Sequence, residues 1–189
     1  MRFRIGMKKQ INIHIGEFHV SGAPRIIYTL LGSCVAVCLY DPVARIGGMN
    51  HILLPGRADR KNFNVRARYG INAMDLLINK MMALSADRRR IVAKVFGGAH
   101  VISVISREYG VGIKNAEFVL DFCRKEGIEV ISRNLGGETT RKIYFHTDTG
   151  DVFLKRVSPM SLEDRIREER DGLKRIKMIP KTEISDVVD

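Results

Sequence analysis

A mixed α/β single domain is the fold class this sequence predicts, and three observations carry that reading. Short apolar runs bounded by turn residues, such as Val35–Tyr40 and Ile91–Phe96, have the length and β-branched content of strands. Between them, Arg66–Leu84 sets Ile71, Met74, Ile78 and Met81 at helical spacing. At 189 residues and 45% hydrophobic content, the chain can bury one sizeable core.

In chain order, Ile11–Val20 and Ile26–Leu30 read as strands. His14 and His19 would then point to opposite faces of one strand. Val35–Tyr40 ends at Asp41-Pro42, and Asp41–Arg45 is the turn into a neighbouring strand, Ile46–Leu54. The helix Arg66–Leu84 follows, its methionines serving as core filler. Arg88, Arg89 and Arg90 form a solvated connection to the strand Ile91–Phe96, which runs into Gly97-Gly98. Asn115 is placed to N-cap a helix carrying Phe118, Val119, Phe122 and Cys123, which Gly127 stops. Strands at Ile128–Ser132, Arg141–Thr147 and Val152–Arg156 complete the pattern, with Asp148-Thr149-Gly150 as a hairpin turn.

Beyond Pro159 the composition changes, which divides the chain into a domain over 1–157 and a charged segment over 158–189. Ser161-Leu162-Glu163-Asp164 resembles a capping box, and Leu162, Ile166, Leu173 and Ile176 make a sparse apolar stripe. The segment is either a helix lying on the domain or a partner, or a disordered tail; from about Pro180 onward disorder is expected.

The chemistry concentrates between Thr29 and Pro55. Cys34 ends a tight Gly32-Ser33 corner, and His51 follows it by seventeen residues, just past Gly47-Gly48. Both interrupt apolar strands, where a thiol and an imidazole have no obvious packing duty. A free thiol is mostly protonated at neutral pH, with a pKa of about 8.5. A neighbouring imidazole that accepts its proton makes sulfur a nucleophile toward an amide or ester carbonyl. Gly32 would let a substrate carbonyl approach closely, and the N–H groups of Ser33 and Cys34 would hold the developing oxyanion. Of the three double glycines, the pair before His51 is the one read as lining the site. Set against this, a lone cysteine is more often a small buried hydrophobe. Cys38 and Cys123 are read that way.

Other chemistries find little support. Three scattered cysteines make neither a disulfide framework nor a CxxC site, and the five histidines show no metal-ligand spacing. No GxGxxG or Walker pattern appears, so no nucleotide cofactor is expected. The basic N-terminus lacks a signal-peptide core, and no apolar run is long enough to insert in a membrane, so a reducing cytoplasm is the expected compartment. The net charge of +11 falls on residues 1–10, with +4, and on residues 57–94, where ten Lys or Arg oppose Asp59, Asp75 and Asp87. Such a surface suits an acidic protein partner. Nucleic acid is not expected, because no recognition motif or aromatic-basic stacking pattern is present and tryptophan is absent.

The motifs LGSCVAVCLYDP, GGMNHILLP, KVFGGA, IKNAEFVLDF and LGGETTRKIYFHTDTG, in that order, resemble the bacterial chemotaxis family CheD. The resemblance runs from about Ile13 to Arg156 and does not reach the tail. It implies a β-sandwich-like core flanked by helices and a cofactor-free cysteine hydrolase that converts chemoreceptor glutamines to glutamate. It implies Cys34 as nucleophile and His51 as general base, and it carries the family's functional threonine onto Thr29, five residues before Cys34, with Tyr28 at the sixth. The same machinery would hydrolyse a glutamate methyl ester. Implied partners are the cytoplasmic domains of chemoreceptors and a CheC-type phosphatase, and a purely regulatory module docking on that phosphatase is the alternative reading. A deamidase with another protein target, as in Rho-modifying bacterial toxins, is a third.

Overall fold

The computed structural model describes residues 8–54, 63–100, 110–157 and 171. Except for Asp171, the charged segment 158–189 lies outside the described residues, as does part of the basic stretch 57–94.

Among the described residues, nine strands form two sheets. β1 (Lys9–Asn12), β3 (Arg25–Leu31), β8 (Arg141–His146) and β9 (Val152–Arg156) make a four-stranded sheet in the order β1-β3-β8-β9. β2 (Phe18–Ser21), β4 (Val35–Asp41), β5 (Ile46–Ile52), β6 (Val92–Gly97) and β7 (Glu129–Leu135) make a five-stranded sheet in the order β2-β5-β4-β6-β7. Helices α1 (Phe63–Ala83) and α2 (Val111–Lys125) both pack on the five-stranded sheet, α1 over β5 and β2, α2 over β4, β6 and β7.

The five-stranded sheet is therefore the middle of three layers. Val35, Val37 and Leu39 on β4 face the helices, with Met74, Leu77 and Val119. Cys34, Ala36 and Cys38 face the other sheet, with Ile27, Ile143 and Phe145. Burial on both faces is why β4 reads as an unbroken apolar run instead of an alternating one. Among the described residues, both helices lie on the same side of the sandwich.

The predicted strand Ile11–Val20 is two strands in different sheets. The chain turns between them, with Glu17 N donating to the His14 carbonyl at 3.0 Å and Gly16 at φ +86. β1 then runs parallel to β3, and β2 antiparallel to β5, so His14 and His19 do not share a strand. In α1 the buried stripe is Met74, Leu77, Ile78 and Met81, while Ile71 is exposed.

Asn115 does not cap α2. The helix begins four residues earlier, with Gly110 as its N-cap, and Asn115 is buried within it. Nor are the three arginines uniformly solvated. They form a one-turn 3-10 helix in which Arg90 pairs at 2.9 Å with the fully buried carboxylate of Asp41. That carboxylate also accepts from the N–H groups of Val43, Ala44 and Asp87, which builds the β4–β5 turn and fastens it to the loop after α1.

Candidate active site

The β4–β5 ladder places the two candidate residues. Ala36 lies directly across from His51, and Val35 from Ile52. Cys34 is two residues before Ala36, so its side chain shares the face of His51 and is its diagonal neighbour. Diagonal residues on paired strands stand about 7–8 Å apart at the backbone, within reach of long side chains. The face they share looks into the space between the sheets, and Cys34 and His51 are both buried there.

Thr29 meets His51 from the opposite sheet. It is buried on β3, and its Oγ1 lies 2.8 Å from His51 Nδ1 and 2.7 Å from the Ile13 carbonyl. A hydroxyl has one proton, and a carbonyl has none to give. The Thr29 proton therefore goes to Ile13, and Thr29 Oγ1 accepts from His51 Nδ1–H. That leaves Nε2 as the basic nitrogen, and it is buried with no hydrogen-bond partner among the described residues. The His51 backbone is fixed as well, by Glu17 O at 3.0 Å and Gly16 N at 2.9 Å.

Burial above all, with His14 nearby, pushes the His51 pKa down to about 3, against a partial pull upward from the Ile13 carbonyl. His51 is thus neutral across the physiological range, the form required of a base, while its protonated form is poorly tolerated at rest. Burial drives the other two thiols the opposite way: Cys123 is raised to about 11 and Cys38 further, despite Lys94. Both stay protonated. None of the three cysteines is in a disulfide.

The loop after β6 holds the Cys34 backbone. Gly98 N donates to the Cys34 carbonyl at 2.7 Å, and Ala99 N to the Gly32 carbonyl at 2.9 Å. Gly97, at φ +114, passes so close that a Cβ on it would lie 2.1 Å from the Cys34 oxygen. Behind this loop, Gly136 N donates to Gly97 O at 2.9 Å and His100 N to Gly137 O at 2.7 Å. The buried Arg141 guanidinium donates to the carbonyls of Asn134, at 2.6 Å, and of Gly136. The site's double glycine is therefore Gly97-Gly98. Gly47-Gly48, expected to line the site, lies inside β5 and packs against Thr147, Phe145 and Leu77.

The structure sets Thr29 against His51, and Gly32, Ser33 and Cys34 lead into β4, the strand paired with that of His51. Three contributors were missed in the sequence: the Ile13 carbonyl, Gly97 and Asn115. Asn115 Nδ2 donates to the Ser33 carbonyl at 2.9 Å, and its Oδ1 accepts from Leu54 N at 3.1 Å. The available signal was a polar residue on the apolar face of α2, between Val111 and Val119. Among the described residues no group of His, Cys, Asp or Glu is disposed to hold a metal ion, and no helix is long and apolar enough to cross a membrane.

A sequence profile of the family CheD, described as chemotactic sensory transduction, matches residues 53–156, more than half the chain. A probable chemoreceptor glutamine deamidase CheD of Vibrio vulnificus is 41% identical over 85% of this chain and 77% of its own length. One of Shewanella oneidensis is 42% identical over 92% of this chain and 84% of its own, a span that necessarily includes residues 34 and 51. One of Rhizobium rhizogenes is 47% identical over 75% of this chain and 77% of its own.

Proposed function

The chain belongs to the CheD family, and from that premise we propose that it hydrolyses the side-chain carboxamides of chemoreceptor glutamines, with Cys34 as nucleophile and His51 as general base. The observation that carries the mechanism is His51 itself, tied through Nδ1 to Thr29 with a buried, bare Nε2 on the face it shares with Cys34.

Cys34 Sγ attacks the carboxamide carbon while Nε2 takes the thiol proton. Because burial disfavours the imidazolium, this proton moves with the attack, when new negative charge on the substrate oxygen compensates it. The N–H groups of Ser33 and Cys34 are the proposed donors to that oxyanion. As the intermediate collapses, Nε2 returns its proton to nitrogen, the C–N bond breaks, and ammonia leaves a thioester on Cys34. Water then attacks the thioester, with Nε2 removing its proton. The C–S bond breaks to give glutamate, and the proton returns to sulfur. One imidazole thus alternates as base and acid. A glutamate methyl ester would follow the same steps with methanol leaving.

The chain's +11 charge suits acidic receptor domains, and three cysteines without a disulfide suit the cytoplasm. Docking on a CheC-type phosphatase is part of this reading as a regulatory contact. The test is mass spectrometry of a receptor cytoplasmic fragment after incubation with the protein. Glutamine residues should gain the mass that marks deamidation, and Cys34→Ala should abolish the gain while leaving the protein folded. Deamidation by a folded Cys34→Ala protein would exclude Cys34 as the nucleophile.

A further inference from the structure

Resting on the reading of Cys34 and His51 as the reacting pair, we infer that Asn115 is a positioning residue that sets the spacing between the two strands carrying them. The β4–β5 ladder ends at the pair Val35 and Ile52. Carried two residues further, its register puts Ser33 opposite Leu54. His51 turns its backbone N–H and C=O toward the β2 side, to Glu17 and Gly16. By the alternation of an antiparallel strand, Leu54 therefore turns its N–H toward β4. The next rung would be a direct bond from Leu54 N–H to Ser33 O.

The structure instead inserts a side chain into that rung. The Asn115 carboxamide accepts from Leu54 N at 3.1 Å and donates to Ser33 O at 2.9 Å. The strands are held one amide group apart at the point where Cys34 follows Ser33, and Asn115 is fully buried as it does so. The first consequence is a wider gap between the strands at the residue that precedes the thiol. The second consequence is directional. A trans peptide unit sets its N–H opposite its carbonyl, so holding Ser33 O on Asn115 aims the Cys34 N–H away from α2. Neither consequence requires Asn115 to touch the substrate.

Two near-isosteric variants separate positioning from bulk packing. Asn115→Leu removes both hydrogen bonds. Asn115→Asp keeps the acceptor for Leu54 N–H but sets a carboxylate against the Ser33 carbonyl; when protonated, its O–H restores the missing donor. With the receptor fragment as substrate, Asn115→Leu should lower kcat by about a hundredfold, the usual consequence of misplacing reacting groups by an ångström, with little change in KM. In Asn115→Asp, kcat should be low at alkaline pH and rise toward acid as the buried carboxyl takes up its proton. The wild-type protein should show no such rise. Thermal melts report whether each variant is folded, and Asn115→Asp decides the question if Asn115→Leu does not fold. A folded Asn115→Leu protein with wild-type kcat, or a pH profile for Asn115→Asp parallel to wild type, would overturn the inference. If the wild-type protein leaves the receptor fragment unchanged, the deamidase reading fails by itself. The clamp is then judged by alkylation of Cys34 with iodoacetamide: slower reaction in folded Asn115→Leu supports it, and an unchanged rate removes it.

Discussion

The backbone of Gly97 faces the carbonyl oxygen of Cys34 so closely that a Cβ at residue 97 would sit 2.1 Å from it. The partner atom is backbone, already accepting from Gly98 N at 2.7 Å, so it cannot swing aside as a side chain would. Gly97→Ala should therefore displace the Cys34 peptide, abolish most turnover, and cost about 3 kcal/mol or more from strain and overpacking. Gly136→Ala is the control. It shares a positive φ, but nothing lies within 4 Å of its added Cβ, so it should cost only about 1 kcal/mol and keep turnover. Chemical denaturation and a deamidation assay on both variants check this; equal activities would remove Gly97 from the site.

Thr29 holds the tautomer of His51, so Thr29→Val, which preserves shape but removes the hydroxyl, leaves Nδ1–H buried without its acceptor. A lost hydrogen bond of this kind is worth about 1–3 kcal/mol, so kcat should fall about ten- to a hundredfold. Thr29→Ser should retain most activity, because the hydroxyl can still bridge Ile13 and His51. Steady-state kinetics on the two variants decide the matter; Thr29→Val turning over at the wild-type rate would show that His51 needs no such support.

His51 also predicts how stability responds to acid. Its folded pKa is depressed to about 3 from an ordinary 6.5. The unfolded chain therefore binds a proton more readily than the folded one throughout that window. Stability from this residue is complete above the ordinary pKa and is lost as pH falls toward the depressed one, by up to about 1.4 kcal/mol per pH unit. Denaturation midpoints measured from neutral to acid pH should fall less steeply in His51→Gln than in the wild-type protein. Turnover should show no loss near pH 6.5 from protonation of His51, since the resting imidazole stays neutral there. An acid limb centred on 6.5 and abolished in His51→Gln would mean that the base titrates as an ordinary histidine.

The arginine turn should divide by position. Arg90 pairs with a fully buried Asp41, whereas the Arg89 side chain is 88% exposed beside Asp87. Arg90→Ser strands a buried carboxylate and should lower Tm clearly, while Arg89→Ser should leave it nearly unchanged. Thermal melts of the two single variants test this, and equal Tm values would show that the Asp41 pair contributes nothing.

Local chemistry was legible in the sequence. Apolar runs gave the strands from β3 to β6 nearly in register, because burial on both faces leaves little room for polar residues in β4 and β5. The tight Gly32-Ser33 corner and the spacing of Cys34 and His51 pointed to a thiol–imidazole pair, since hairpin partners close in sequence meet in space. What the sequence could not decide were contacts made between layers. One strand was expected where Gly16 divides the chain between two sheets. Thr29 and Tyr28 were separable only once β3 was laid under β5, because strand alternation points one of them at His51 and the other to the opposite face. Gly47-Gly48 and Gly97-Gly98 look alike as letters, yet only the second pair turns at positive φ against the Cys34 carbonyl. The type of Asn115 favours a helix end. Its hydrogen bonds instead go to Ser33 and Leu54, 82 and 61 residues away. The sequence by itself determined the candidate thiol and imidazole and the strands that carry them. Their orientation was left to tertiary structure, because it depends on hydrogen bonds from residues that only packing brings together.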